Sequence, residues 1–390
     1  MVVEDLPVPF DRRVWQEATT LVRAGYSVTV ICPAGLGYEA ESELFEGVHI
    51  RRYRLPRTRS SLWGYLREYR AALAAERRLL RATWKEAGID LIHLCNPPDI
   101  LFVPTLWYKV VRGVKIVFDH HDRSPELFEA KFAKKGVLHA ALVAAQRMTF
   151  ALADVVIAPN ETHAELAVTR GKKDADRVFI VRSSPTPLPD GTGLSISRHP
   201  EDNLWRVGYM GVMGEQDGVD ILLRAAHHVT SHYARADVRF LLIGGGPAFD
   251  SLVALRNRLG LQKCVEFLGY RARQEVVEIL ATCDVCVSPD PKNRYNDGCT
   301  MNKVLEYMQL GKPIVQFDLV ESRRLTGDAA LYARDNESNS LADAILTLLD
   351  DGDLAERLGD AAKERFGEFE WAAQEMELRS AYWRALQSGA

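Results

Sequence analysis

The sequence predicts an α/β protein made of two doubly wound, Rossmann-like domains that face a central cleft. Short apolar runs alternate with longer amphipathic stretches almost from end to end, which is the rhythm of βαβ units around a parallel sheet. Over residues 185–202 that rhythm breaks, in a stretch with four prolines, two glycines and two aspartates that reads as a linker. It then restarts. At 390 residues the chain is also too long for one ordinary core.

The first half offers strands at 28–32, 89–94, 115–119, 155–158 and 178–181, rich in Val and Ile and bounded by turn residues. Helical stretches at 12–24 and 60–87 lie between them. Met1-Val2-Val3 reads as the tail of a first strand; either that strand is short or its beginning lies before Met1. The second half offers strands at 205–209, 240–243, 265–268, 285–288 and 314–317. The expected domains are therefore 1–186 and 203–369. A last amphipathic helix, within 370–390, is expected to pack back towards the N-terminal domain. Ligands bind such sheets at the carboxyl ends of the strands, which makes the expected cleft the natural active site.

Composition narrows the function. The formal net charge of -4 gives no reason to expect nucleic acid. Six cysteines, with Cys283 and Cys286 the only CxxC, read as reduced packing residues rather than a disulfide framework or a zinc site. No apolar run is long enough to span a bilayer, and the early acidic residues are unlike a signal peptide, so a cytoplasmic protein is expected.

The most informative stretch is Asp297-Gly298-Cys299-Thr300-Met301-Asn302-Lys303-Val304-Leu305-Glu306-Tyr307-Met308, closed by Gly311-Lys312-Pro313. It sits between two strands, and a helix beginning near Thr300 would turn its unpartnered N–H groups and its dipole towards an anion. Lys303 and Glu306, three apart, share one face of that helix. A lysine at a diphosphate and a carboxylate at a ribose would suit a nucleoside diphosphate. A surface helix with an i,i+3 ion pair would carry the same spacing, and spacing alone leaves both open.

This segment resembles the signature helix of the GT-B retaining glycosyltransferases of family 4, also called glycosyltransferase group 1. The resemblance covers nearly the whole chain. Asp11-Arg12-Arg13-Val14 with Glu17-Ala18 and Gly25-Tyr26-Ser27-Val28 resembles the family's N-terminal signature. Gly208–Gly218, Gly244-Gly245-Gly246-Pro247 and Phe267-Leu268-Gly269-Tyr270 resemble its donor-domain loops. It implies a GT-B fold and a nucleotide-sugar donor, a UDP-sugar above others, bound by the C-terminal domain. It further implies retention of anomeric configuration, metal-independent chemistry, no cofactor, and a saccharide, lipid-linked or small-molecule acceptor on the N-terminal domain. Glu306 takes the place of the ribose-binding glutamate. Lys303, Asn302, Met301, Thr300, Gly298, Asp297, Gly211, Gly214, Gly244, Gly269 and Tyr270 fall in the implied donor site. Arg12, Arg13 and Asn96 fall on the acceptor side. Two departures stand out. The position of the family's other glutamate is Gly298, with Asp297 and Asn296 as stand-ins. The loop Gly211–Gly218 carries neither of the Arg and Lys that relatives place at the phosphates.

Phe118-Asp119-His120-His121-Asp122 follows a strand of the first domain. Adjacent histidines in extended chain point to opposite sides, which argues against one metal held by both. The resemblance gives a histidine here a contact with the transferred sugar. His121, directly before Asp122, matches best and His120 is the alternative. Residues 51–88 carry eleven Arg and Lys against three Glu, interleaved with Trp63, Tyr65, Tyr69 and Trp84. This suits an anionic membrane surface on the cytoplasmic side, favoured over a plain solvated helix face. Two competing functions keep the fold: a non-hydrolysing nucleotide-sugar epimerase, and a catalytically inert scaffold subunit.

Overall fold

The computed structural model describes residues 1–55, 62–132, 136–188, 203–334 and 336–387. It divides the chain into two compact units: unit 1, residues 1–183 with 372–390, and unit 2, residues 184–371. Most of the stretch read as a linker, 189–202, lies outside the described residues.

Unit 1 runs β1 (Val2–Val3), α1 (Arg12–Arg23), β2 (Thr29–Pro33), β3 (Ser42–Phe45), β4 (Val48–Tyr53), α2 (Leu62–Ala87), β5 (Leu91–Cys95), α3 (Phe102–Arg112), β6 (Lys115–Asp119), α4 (Ser124–Phe132), α5 (Val137–Leu152), β7 (Val155–Ala158), α6 (Glu161–Thr169) and β8 (Val178–Ile180). Its eight-stranded sheet has the order β3-β4-β2-β1-β5-β6-β7-β8 and is parallel except for β3. Ile116, Val117 and Phe118 on β6 and Val155, Val156 and Ile157 on β7 are all buried. A parallel sheet covered on both faces demands such unbroken apolar runs, which is why these strands read so clearly. The β3–β4 hairpin was missed because β3 is a largely exposed edge strand with no alternation. Its two-residue turn is Glu46-Gly47, both at positive φ, the twist that a tight hairpin requires.

Unit 2 runs β9 (Trp205–Val212), α7 (Val219–His227), β10 (Val238–Gly245), α8 (Phe249–Arg258), β11 (Val265–Gly269), α9 (Arg273–Ala281), β12 (Val285–Ser288), α10 (Asn302–Gln309), β13 (Ile314–Phe317), α11 (Val320–Thr326), β14 (Leu331–Ala333), α12 (Ser338–Asp350) and α13 (Gly352–Phe366). α14 (Trp371–Gln387) follows, and from residue 372 it belongs to unit 1. The sheet is wholly parallel with the order β11-β10-β9-β12-β13-β14.

Strand order reverses direction between β1 and β5 in unit 1 and between β9 and β12 in unit 2. These are the two topological switch points, where neighbouring loops diverge and leave room for a ligand. In unit 2 the ladder between β9 and β12 stops at Gly208↔Cys286. Beyond it the Tyr307 hydroxyl, on α10, accepts from the Met210 N–H at 3.0 Å and donates to the Val287 carbonyl at 3.2 Å. Tyr307 is fully buried and thereby bridges the two strands where their own bonding ends. α10 is fixed to the switch point by this side chain and by Val304, Leu305 and Met308 in the apolar cluster beneath it. Tyr307→Phe keeps the ring and leaves a buried N–H without its acceptor, so unfolding stability should drop by about 1–3 kcal/mol. The urea midpoint measures this; an unchanged midpoint would show that the bridge contributes nothing.

Candidate functional site

α10 begins at Asn302, two residues later than the sequence suggested, so Thr300 and Met301 precede the helix and Asp297 and Gly298 form a short 3-10 turn. Met301, the N-cap residue, is buried and contributes no side-chain cap. Asn302 is exposed, and Asp297 accepts from the Val320 N–H at 3.3 Å.

The i,i+3 pair between Lys303 and Glu306 does not form. Lys303 Nζ meets both Asp290 oxygens, at 2.7 and 2.8 Å, and lies 5.2 Å from the Tyr209 ring centroid. Its aliphatic end passes Gly211, where a Cβ would lie 3.1 Å from Cε. The lysine tip is thus at the carboxyl end of β9. Asp217 stands near it and accepts from the Gly214 N–H at 2.8 Å. Burial raises the Asp217 carboxyl above its ordinary range, against the nearby Lys303 charge. Glu306 takes a different cation: Arg273, on α9, which also donates to Gln309 Oε1 at 3.1 Å and to the Thr186 carbonyl at 2.8 Å. Lys303 and Glu306 leave the helix in different directions because each finds a buried or half-buried counter-ion closer than the other.

The glycines of these loops are sites of close approach. Gly244 has φ +120°, and a Cβ there would lie 2.0 Å from the Gly211 carbonyl. Tyr270, just past Gly269, is exposed, while its hydroxyl donates to the Gly245 carbonyl at 3.1 Å.

One strand from the unit 1 switch point, Asp119 ends β6 wholly buried. The Arg13 guanidinium donates to both of its oxygens, at 2.9 and 2.7 Å, and to the Val181 carbonyl at 2.7 Å. Burial would raise the Asp119 carboxyl, but Arg13 and the His121 ring beside it hold it well below the usual range. His121 Nε2 meets Asp119 Oδ2, and the ring keeps 17 % of its side-chain surface open. His120 points the other way, completely buried against Phe118, Phe150 and His163 and 3.1 Å from Gln146. Burial lowers its pKa to about 3. As a neutral core side chain, His120 is out of reach of a ligand. Arg13 is likewise corrected from an acceptor contact to a buried counter-ion. Arg12 is exposed. Asn96 is buried, bonded to Asp99 at 2.9 Å and to the Asp122 backbone at 2.7 and 3.1 Å, so it shapes the loop that carries His121 and Asp122.

His93 and Tyr382, which the sequence reading did not single out, complete this cluster with Asp119 and Glu17. Glu17 is fully buried, 3.4 Å from Arg13, and its oxygens lack hydrogen-bond partners. His93 Nδ1 lies 2.7 Å from the Tyr382 hydroxyl on α14. His93, Cys95 and Asp119 bring ligand atoms within 4.8 Å of one another. Arg13 occupies both Asp119 oxygens, however, and a guanidinium there competes with any cation. In unit 2 a comparable signal existed for Asp290: a carboxylate directly after a strand, in Ser288-Pro289-Asp290.

Two parallel Rossmann-like sheets with these switch points define the GT-B class. Residues 205–351 match the model of "Glycosyl transferases group 1" and residues 11–183 that of "Glycosyl transferase 4-like domain". The chain belongs to this group 1, family 4-like glycosyltransferase family. It is 27 % identical over 186 residues to D-inositol 3-phosphate glycosyltransferase of Corynebacterium aurimucosum, 46 % of this chain and 43 % of that protein. The chain spans about half the length of the curated relatives it matches. Sucrose-phosphate synthase of Thermosynechococcus elongatus has the same fold, with a TM-score of 0.74 at 17 % identity over 98 % of this chain and 95 % of that one. HepE of Anabaena, solved with UDP and glucose, gives 0.68 at 18 % identity over 98 % of both.

The buried charges of unit 1 have a consequence for stability. Burial, reinforced by Asp119, pushes the Glu17 carboxyl well above its ordinary pKa, against the pull of the Arg13 charge. A group raised on folding contributes stability that is complete below its unfolded pKa and is lost as pH rises towards the folded value. Glu17→Gln, a permanently neutral isostere, should therefore remove that loss. Thermal unfolding from pH 4 to 8 should show the variant falling less with pH than the wild type; parallel curves would place the charge elsewhere.

Proposed function

We propose that the protein is a metal-independent, retaining glycosyltransferase that takes a hexose or N-acetylhexosamine from a UDP-sugar. The acceptor is a saccharide, a lipid-linked saccharide or a small molecule. The observation that carries this is the position of Lys303 at the end of β9, on a helix locked into the unit 2 switch point. A diphosphate placed there would meet the N-terminal amides of α10 and the Lys303 ammonium. Asp290 takes up to two of the three ammonium N–H donors and aims the group. Glu306 would accept from the ribose hydroxyls, and the backbone at Gly269 and Tyr270 would bracket the base. HepE, with UDP and glucose bound, supports a UDP-sugar on the same fold. Family membership supports retention.

Unit 1 would bind the acceptor and supply His121, which Asp119 orients through Nε2. The leaving phosphate itself would take the acceptor proton. Charge in this scheme is met by amides and Lys303, whose ammonium is aimed by Asp290. The basic residues of α2 suit an anionic membrane surface on the cytoplasmic side, where lipid-linked acceptors lie. Among the described residues no helix is long and apolar enough to cross a membrane. A second reading, an inert scaffold subunit, draws on the counter-ions already held by Lys303 and Glu306.

Calorimetry tests the donor site. Lys303→Ala should weaken UDP binding far more than uridine binding, since only UDP carries the charge. Glu306→Ala should weaken both by about 1–3 kcal/mol. Equal losses for the lysine variant, or no loss for the glutamate variant, would remove these roles.

Release of nucleoside diphosphate across a panel of nucleotide sugars and acceptors tests the reaction. Release should depend on acceptor and survive EDTA. His121→Ala should lose turnover while UDP affinity stays near normal, because its contact strengthens only in the transition state. Silence across the panel would favour the scaffold, and an EDTA-dead enzyme restored by Mg²⁺ would overturn metal independence.

A further inference from the structure

The charged region at 51–88 is not one face. Arg51 is on β4, paired with Glu86; Arg52 is buried, bonded to Glu43 and the Val8 carbonyl. Arg57 and Arg59 lie outside the described residues, as do the side chains of Trp63 and Tyr65. On α2, however, Arg67, Arg70, Arg77, Arg78, Arg81 and Lys85 are all exposed. At 3.6 residues per turn they fall within about 100° of the helix circumference, a single stripe. None of the six has a carboxylate partner among the described residues. Glu68 and Glu76 point inward, buried on the opposite side of the helix.

α3 packs beside α2, with Trp84 of α2 against Trp107 and Tyr108 of α3 at ring-centroid distances of 6.5 and 5.6 Å. Phe102, Pro104, Thr105 and Tyr108 form its buried face. Its outer face is apolar as well. Val103, Leu106, Trp107, Val110 and Val111, at i, i+3, i+4, i+7 and i+8, are each between 41 % and 71 % exposed. A helix that buries one apolar stripe and exposes another lacks a partner for the second. The Arg112 guanidinium lies 5.0 Å from the Trp107 ring and 5.5 Å from Trp84, joining the aromatic seam to the basic stripe.

We propose that α2 and α3 together form an interfacial membrane-docking face: the α2 stripe adsorbs to anionic headgroups and the α3 stripe enters the headgroup–acyl boundary. This rests on the anionic-surface partner proposed above and adds the element that inserts. Charge selects the occupant. Two copies of this chain joined through this face would bring two unpaired basic stripes together, whereas an anionic bilayer offers apolar depth and opposite charge at once. Trp107 has the indole character that favours the boundary between headgroup and chain.

The test uses the full chain with vesicles of phosphatidylcholine, with and without phosphatidylglycerol, read by cosedimentation. The wild type should bind only the anionic vesicles and be released by salt within a Debye-screening range. Arg77→Glu with Arg81→Glu should lower partitioning by more than about tenfold. Val110→Asp with Val111→Asp should lower it by about tenfold or more with the basic stripe intact. Both positions are exposed, so thermal melting and UDP affinity should match the wild type. No binding by the wild type overturns both the surface and the insertion. Loss in the charge variant with full binding by the valine variant leaves adsorption standing and overturns insertion. A dimer in light scattering that the valine variant dissociates would show that a second copy covers α3, and would overturn the membrane reading of that face.

Discussion

Two parallel strands stop bonding to each other after Gly208 and Cys286, and one phenol takes over. The Tyr307 hydroxyl satisfies the Met210 N–H and the Val287 carbonyl inside the sheet, where water cannot reach. Buried backbone groups must be paired, so this side chain sets both the splay of β9 from β12 and the seat of α10. Lys303 lies one turn before Tyr307, and Glu306 lies next to it. Their positions follow from the same anchor. A helix so held can present its amides and its lysine to a ligand without reorganising, which is the condition for electrostatic stabilisation to act on a reaction.

Unit 1 solves a different problem, that of charge without water. Asp119, Arg13, Glu17 and His93 are all buried within one cluster. One bidentate pair between Arg13 and Asp119 holds the Asp119 carboxyl well below its usual range, while burial pushes the Glu17 carboxyl up and the His93 ring down around it. Burial costs a lone charge far more than it costs a neutral group, and the bidentate geometry of the pair offsets that cost. His121 is the member of this cluster with open surface, and its ring is held by the charge that the cluster preserves. Tyr382 ties α14 into the same network through His93, so residues nearly 290 apart in sequence share one hydrogen bond.

Both units hold a buried ion pair at the carboxyl end of their sheet. Around unit 2 Lys303 pairs with Asp290, both buried, and Glu306 pairs with the partly exposed Arg273. Around unit 1 the pair is sealed and serves orientation. The loop Gly211–Gly218 departs from the family pattern. No Arg or Lys stands in that loop, and Asp217 occupies it, so Lys303 is the cation at the end of β9.

The strands at 115–119, 155–158, 285–288 and 314–317 were legible to the residue because a parallel sheet buried on both faces selects mostly apolar side chains between its turns. The β3–β4 hairpin and β14 escaped notice because an exposed edge and a three-residue strand carry no such run. The sequence by itself determined two doubly wound sheets, a strand–loop–helix at residues 297–308 and a His-Asp loop after β6. Only the tertiary structure decided the partners. Lys303 and Glu306, three apart on a helix, had an obvious mate in each other, yet Asp290 and Arg273 took them. His121 matched the family loop better than His120, and the fold places His120 in the core. The physical reason is the same in each case. Period and composition are local and fix which backbone forms, whereas a charge chooses the nearest compensating group in space, and that group arrives from another strand.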